Sequence, residues 1–335
     1  FTRARFDHLE RPSAEVAHLF ISFGATDPAN ATSLALDAVA ETGFPGSVDV
    51  VLSGGAPHLA AIRTKIEALE NNVNLHIDPD DIVAILKKAD MSVGAPGSSA
   101  WERCCLGIPT IMVQIADNQA NIATGLDAAG AAEFAGTVES LTAKTLAEAI
   151  SALAGDPGRR GIMATNAARL CDGLGAARIR AYLAGKTHAA DGTLLQLRVA
   201  TMDDAALMLE WQSHPQTRRF ARNPKAPDPE THHEWLRGVL RDPARILCIL
   251  EAGDLPAGSL RLDPTDDGGL EISIYTAPDH YRRGIASAGL RLARQLAPGL
   301  QIHAHVLPNN SVSHELFTRA GYHLITADHY VQVPQ

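Results

Sequence analysis

Gly94-Ala95-Pro96-Gly97-Ser98-Ser99-Ala100-Trp101-Glu102-Arg103-Cys104-Cys105-Leu106-Gly107-Ile108-Pro109-Thr110-Ile111-Met112-Val113-Gln114-Ile115-Ala116-Asp117-Asn118-Gln119 decides the fold of the first half of the chain. It reads as a strand end, a tight glycine turn, a helix opened by two serines, and a buried strand. Small residues let the backbone come close to a ligand. The free N–H groups of a first helical turn, together with the helix dipole, favour an anion. One reading is therefore a phosphate cradle at Gly97, Ser98 and Ser99. Glu102, one turn further on, then accepts hydrogen bonds from the two hydroxyls of a ribose. The other reading is a capped surface helix, with Ser98 as N-cap and Glu102 in its first turn.

The flanking sequence alternates short apolar runs with helical spacing. Leu19–Gly24, Val48–Gly54, Val73–Asp78, Met91–Ala95 and Ile108–Val113 are expected strands, with helices near 28–42, 57–70, 80–88 and 98–107. That alternation predicts a Rossmann-like, doubly wound parallel sheet with right-handed crossovers. Ligands bind such sheets at the carboxyl ends of the strands. Two glycine turns fall there, Gly24-Ala25-Thr26-Asp27 and the Gly94–Ser99 turn. From about 141 to 184 the pattern is helical throughout. Residues 1–185 are thus read as one lobe, and the small, polar residues 186–194 as a linker.

Residues 195–335 follow a different grammar. Gln196–Thr201 reads as a strand, Asp203–Gln212 as a helix, and 230–240 as another. Ile246–Glu251, Pro256–Asp263 and Leu270–Thr276 suggest an antiparallel meander. A helix near 284–297, a strand Gln301–Leu307, a helix near 310–320 and a last strand complete an α+β domain. Inside it, Tyr281-Arg282-Arg283-Gly284-Ile285-Ala286 follows a strand and opens an amphipathic helix. Two arginines beside exposed N–H groups suit a pyrophosphate, although a basic turn capping a helix has the same appearance.

Composition bounds the function. The 335 residues suffice for two domains, and the formal net charge is −9. No lysine or arginine run stands out, so a nucleic-acid partner is not expected. A nucleotide diphosphate remains compatible, because backbone N–H groups need no net positive charge. No apolar run approaches a membrane span, and no signal peptide is visible. The four cysteines include no CxxC and the adjacent Cys104-Cys105 forms no ordinary bridge, so a reducing cytoplasm is the expected compartment and no metal is assigned.

The second domain resembles the GNAT acetyltransferases over about 196–330. The resemblance rests on the Arg282–Ala286 turn and, about twenty residues later, on His303-Ala304-His305 followed by Asn310, a short helix and Gly321-Tyr322. It implies acetyl-coenzyme A as cofactor, with the pyrophosphate held by Arg282, Arg283, Gly284, Ile285 and Ala286, and the pantetheine or acyl group by Asn310. Acyl transfer needs a base for the amine, a donor for the oxyanion and an acid for the thiolate. Glu271 is the leading base, with His303 or His305 as alternatives; each can equally be an ordinary polar strand residue. The family often has a tyrosine where this chain has Phe317, so Tyr281, Tyr322 or water is expected to serve as the acid.

The first half resembles the UDP-sugar hydrolases of pseudaminic acid biosynthesis (UDP-2,4-diacetamido-2,4,6-trideoxy-β-L-altropyranose hydrolase), relatives of the GT-B glycosyltransferases. Phe23–Pro28, Gly97–Pro109 and Ala116–Gln119 carry it, over about 16–184. It implies UDP binding: Glu102 on the ribose, Ser98 and Ser99 on the diphosphate, Gly24, Ala25 and Thr26 closing over the phosphates, Ile77 near the uracil, and Asn118 and Gln119 facing the sugar. For Asn118 and Gln119 a helix cap is the alternative. The family's water-activating histidine sits in a glycine-rich loop that neither His8 nor His18 has. That lobe is expected to lie outside this sequence, which opens on Phe1. Together the resemblances imply N-acetylation of a UDP-linked amino sugar in nonulosonic acid biosynthesis, joined to part of a UDP-releasing hydrolase. A GT-B glycosyltransferase and a non-catalytic nucleotide-sugar-binding module are the alternatives.

Overall fold

The structure is a computed structural model and describes residues 2–9, 15–69 and 72–334. Residue 70, the expected end of the second helix, lies outside the described residues. The chain divides into two units, residues 1–173 and 174–335.

The first unit is built on six parallel strands: β1 His18–Ser22, β2 Ser47–Leu52, β3 Asn72–Ile77, β4 Met91–Gly94, β5 Thr110–Gln114 and β6 Glu133–Thr137. Their order is β3-β2-β1-β4-β5-β6. Alternation within the strands feeds two apolar layers. Leu19, Ile21, Val48, Val50, Met91 and Val93 face one layer with Leu36, Val39, Leu146 and Ile150. Phe20 faces the other, with Leu86, Leu106 and Ile108. The order reverses between β1 and β4, so the turns after these strands flank the crevice where such sheets take ligands. β6 escapes a pattern search because Gly136, at φ 135°, breaks its five residues where the register with β5 shifts.

The second unit carries an eight-stranded sheet. Its strands are β7 Lys186–His188, β8 Leu194–Val199, β9 Ile246–Ala252, β10 Leu255–Pro264, β11 Leu270–Thr276, β12 Ile302–His305, β13 His323–Leu324 and β14 His329–Gln332. The order is β13-β14-β12-β11-β10-β9-β8-β7. β7 to β11 form an antiparallel meander, while β12 runs parallel to β11 and pairs with it only at Leu270↔Ile302 and Glu271↔His303. Helix Ile285–Leu296 buries Ile285, Leu290, Leu292, Ala293 and Leu296, the inward stripe expected of an amphipathic helix.

The division at Gly173 falls before the boundary expected at 185. Helix Gly175–Leu183 buries Ala181 in the core of the second unit, alongside Leu195 and Leu292. Within the expected linker 186–194, Lys186–His188 is a strand paired with β8. Asp191 closes the hairpin by accepting from the Thr193 N–H at 2.9 Å. Three paired residues in a small, polar segment leave no periodic signal to read.

Candidate functional site

In the first unit, the turns after β1 and β4 border a cavity of about 350 Å³. Gly24, Ala25, Ser98, Ser99 and Glu102 line it, joined by Phe20, Ser53, Asp78, Ile82 and Arg103. The turn after β2 is tied to the turns after β1 and β3. Ala25 O accepts from Ser53 N at 2.8 Å, and Asp78 accepts from Gly54 N at 2.7 Å. A Cβ on Gly94 would lie 2.5 Å from Ser22 O, so only glycine lets the ends of β1 and β4 approach this closely.

The helix N-cap is Gly97, not Ser98, and no side chain caps the helix. Ser98 is the first helical residue, while Ser99 Oγ accepts from Arg103 Nη1 at 3.1 Å. The capped-helix reading is thereby corrected: both serines are left beside the cavity with uncapped N–H groups. Arg103 is 1% exposed. Burial pulls its pKa down to about 10, against the opposing influence of Cys104 and Glu102.

Other expected contacts lie off the cavity lining. Thr26 is exposed beyond Ala25, and Ile77 is half-buried one residue before Asp78. Gly97 and Gln119 flank the cavity, the Gln119 Nε2 standing 3.8 Å from where a Gly97 Cβ would be. Gln119 Oε1 accepts from Ile115 N at 3.0 Å, fixing its own turn rather than a helix end. Asn118 is exposed on that turn and makes no cap bond.

In the second unit, a cavity of about 550 Å³ opens where β11 and β12 part. Glu271, Ile272, Ser273 and Ile274 form one wall, and His305, Val306, Leu307 and Asn310 the other. Glu271 Oε1 accepts from Arg222 Nη2 at 2.6 Å. Asn310 is the N-cap of helix Ser311–Arg319: its Oδ1 accepts from Ser313 N at 3.1 Å and its Nδ2 donates to Ser313 Oγ at 2.8 Å. Phe317 also lines the cavity, whereas Tyr281 and Tyr322 do not. Tyr281 pairs with Thr217, and the buried Tyr322 packs edge-on against Phe317. Ser313 is the cavity-lining hydroxyl one turn before Phe317.

His303 and His305 share a face, but only His305 reaches the cavity. Both stack on His329, which faces His305 across the β12–β14 ladder. His303 Nδ1 lies 3.0 Å from His329 Nε2, and its own Nε2 lies 3.2 Å from Asp267, too poorly aligned for a good hydrogen bond. Burial and then the neighbouring His305 and His303 depress the pKa of His329. Among the described residues, no group of three or more His, Cys, Asp or Glu side chains is arranged to hold a metal ion. Nor is any helix of these residues long and apolar enough to cross a membrane.

The Arg282–Ala286 turn forms a second uncapped helix start. Arg282 and Gly284 are left-handed, at φ 62° and 80°. A Cβ at Gly284 would meet Ala190 Cβ at 2.6 Å. Arg282 points outward and is exposed. Arg283 is engaged: it donates to Asp191 at 2.6 Å and to Thr193 Oγ1 at 2.9 Å, and its Nη1 lies 2.9 Å from His280 Nδ1. Of the two arginines, only Arg282 is placed with its charge toward solvent, and Arg283 braces the β7–β8 hairpin. The N–H groups of Ile285 and Ala286 lie in the first turn of the helix.

The sequence model of the acetyltransferase (GNAT) domain family matches residues 195–323, which lie in the GNAT-like α/β second unit. The chain is similar to the spore coat polysaccharide biosynthesis protein SpsG of Bacillus subtilis (strain 168), with 25% identity over 187 residues. The match takes in 55% of this chain and 54% of that protein, so the chain spans about half the length of this relative. Among solved structures, aminoglycoside acetyltransferase AAC(6')-Ib in complex with coenzyme A and kanamycin is 20% identical, with a TM-score of 0.37 over 42% of this chain and 94% of that one. Acinetobacter baumannii MurG is 19% identical, with a TM-score of 0.42 over 52% of this chain and 51% of that one.

Proposed function

We propose that the chain is an acetyl-coenzyme A-dependent N-acetyltransferase acting on a UDP-linked amino sugar, and that its first unit holds the UDP end of such a sugar. The carrying observation is the parting of β11 and β12 over a cavity that has Glu271 on one wall and Asn310 on the other. Acetyl-coenzyme A supplies an acyl group already activated as a thioester. The residues present fit it. The left-handed Arg282 and Gly284 curl the backbone before an uncapped helix start, a concavity suited to a pyrophosphate. Arg282 adds charge there, and Arg283 shapes the turn.

Glu271 takes the proton from the acceptor ammonium, directly or through one water, with Arg222 orienting the carboxylate. His305 is the second proton acceptor on the cavity wall, backed by His329 and His303. Phe317 has no proton to give. Ser313 Oγ accepts from Asn310, which leaves its own proton for the departing thiolate or for a water beside it.

Sugar biosynthesis as the setting is supported by the likeness to a spore coat polysaccharide biosynthesis protein. The specific route we favour is nonulosonic (pseudaminic-type) acid formation in the cytoplasm, where N-acetylation precedes a hydrolysis that releases UDP. Purified chain incubated with acetyl-coenzyme A and a UDP-4-amino sugar is expected to release free thiol and yield the N-acetylated sugar nucleotide. Absence of both turnover and coenzyme binding overturns the transferase reading, while acetylation of a free amino sugar at equal efficiency overturns the UDP requirement.

A further inference from the structure

We propose that Arg103 is the resident cation of the first unit's anion site, buried beneath the first turn of helix Ser98–Leu106 so that the site selects ligands by their phosphate charge. The inference rests on reading the cavity at Gly24, Ser98 and Glu102 as a nucleotide site, and it assigns a role to a side chain that this reading leaves unused.

Among the described residues, Arg103 heads the fully buried side chains in volume. Its Nη2 donates to Ala95 O at 2.7 Å and its Nη1 to Ser99 Oγ at 3.1 Å, while its Nε has no partner. Among the described residues no carboxylate forms an ion pair with it. A buried charge is ordinarily paired, because removing it from water costs more than one carbonyl and one hydroxyl return. The guanidinium also lies where positive charge already accumulates. The uncapped N–H groups of Ser98 and Ser99 form the positive end of the helix dipole, and the guanidinium reaches back one turn to join them. Two positive features placed together await an anion, and both border the same cavity.

Gly94 makes the arrangement possible, since a Cβ there would stand 3.1 Å from Arg103 Nη1. Ser99 transmits it. With its oxygen accepting from Arg103, the hydroxyl directs its own proton elsewhere, and a phosphate oxygen at the helix start is a suitable acceptor. A neutral nucleoside gains nothing from the guanidinium. A nucleoside diphosphate gains the most.

Calorimetry on the full chain with UDP, uridine and inorganic pyrophosphate, alongside ligand-free thermal unfolding, tests this. The wild type is expected to prefer UDP over uridine, and Arg103→Met to cut that preference by about 10- to 100-fold. Uridine affinity should stay unchanged, and the ligand-free midpoint unchanged or raised, because an unpaired buried charge has been removed. Arg103→Lys should keep part of the preference, and Ser99→Ala should lose part of it. If Arg103→Met does not fold, the Ser99→Ala ratio decides. An unaltered ratio of UDP to uridine affinity overturns the inference, as does a variant that loses uridine and stability together, the signature of a mere brace. A wild type that binds pyrophosphate without preferring UDP to it sinks the nucleotide reading but keeps the anion site. Binding of neither UDP nor pyrophosphate sinks both.

Discussion

Helices Ser98–Leu106 and Ile285–Leu296 both begin on a glycine with no side-chain cap, yet they place their cations in opposite ways. In the first unit the cation is Arg103, sealed under the helix. In the second, Arg282 stands exposed while its neighbour Arg283 is spent on Asp191, Thr193 and His280. Helix Ser311–Arg319 is the internal contrast, because Asn310 caps it and satisfies the N–H of Ser313. An uncapped start leaves donors for a ligand; a capped one serves the fold. Both of these helix starts thus leave donors for an anion, and the second unit also carries a cavity lined by Glu271 and His305, groups able to move a proton.

The largest expected effect breaks the units apart by chemistry. Glu271→Gln keeps the size and most hydrogen bonding of the side chain but removes the base. Acetyl transfer should fall by about 10²- to 10⁴-fold in kcat, while coenzyme affinity and UDP affinity measured by calorimetry stay as they are. If kcat is unchanged, proton removal belongs to the His305 side of the cavity, and His305→Gln should show the loss instead.

Much of this was legible from residue order. Alternating apolar runs disclosed β1 to β5, and the glycine turns with Ser98, Ser99 and Glu102 marked the crevice. What stayed hidden depends on tertiary placement. An arginine on a surface-like helix reads as solvated, yet Ala100, Arg103 and Cys104 fall at i, i+3 and i+4 and are all buried. That shared face was the available signal for Arg103. His329 meets His305 only through strand register, which no local pattern encodes. Arg282 and Arg283 are indistinguishable in sequence, and only the left-handed backbone at Arg282 separates their directions.

That separation gives the next test. Arg282→Ala should weaken coenzyme binding by about tenfold, with the thermal midpoint unmoved. Arg283→Ala should do the reverse, lowering the midpoint by about 2–4 °C with a smaller change in coenzyme affinity. Equal effects of the two variants on binding, with no change in stability, erase the distinction between a ligand contact and a hairpin brace.

The smallest expected effect concerns acid. Arg103, even pulled down to about 10, keeps its charge at every pH near neutral, whereas the face of the second unit relies on imidazoles. His329 is flanked by His305 and His303, with Asp328 and Glu271 supplying opposing charge and Asp267 beside His303. Its folded pKa lies below the ordinary histidine value of about 6.5, so the unfolded chain binds that proton first. The second unit should therefore lose stability as pH falls through 6.5 toward the depressed value, with the loss levelling off below it. Replacing His329 by Gln removes the group and two like-charge contacts. Thermal midpoints measured from about pH 7.5 down to about pH 5 should then fall less steeply in His329→Gln than in the wild type. Identical slopes would rule out His329 as the source of any acid sensitivity.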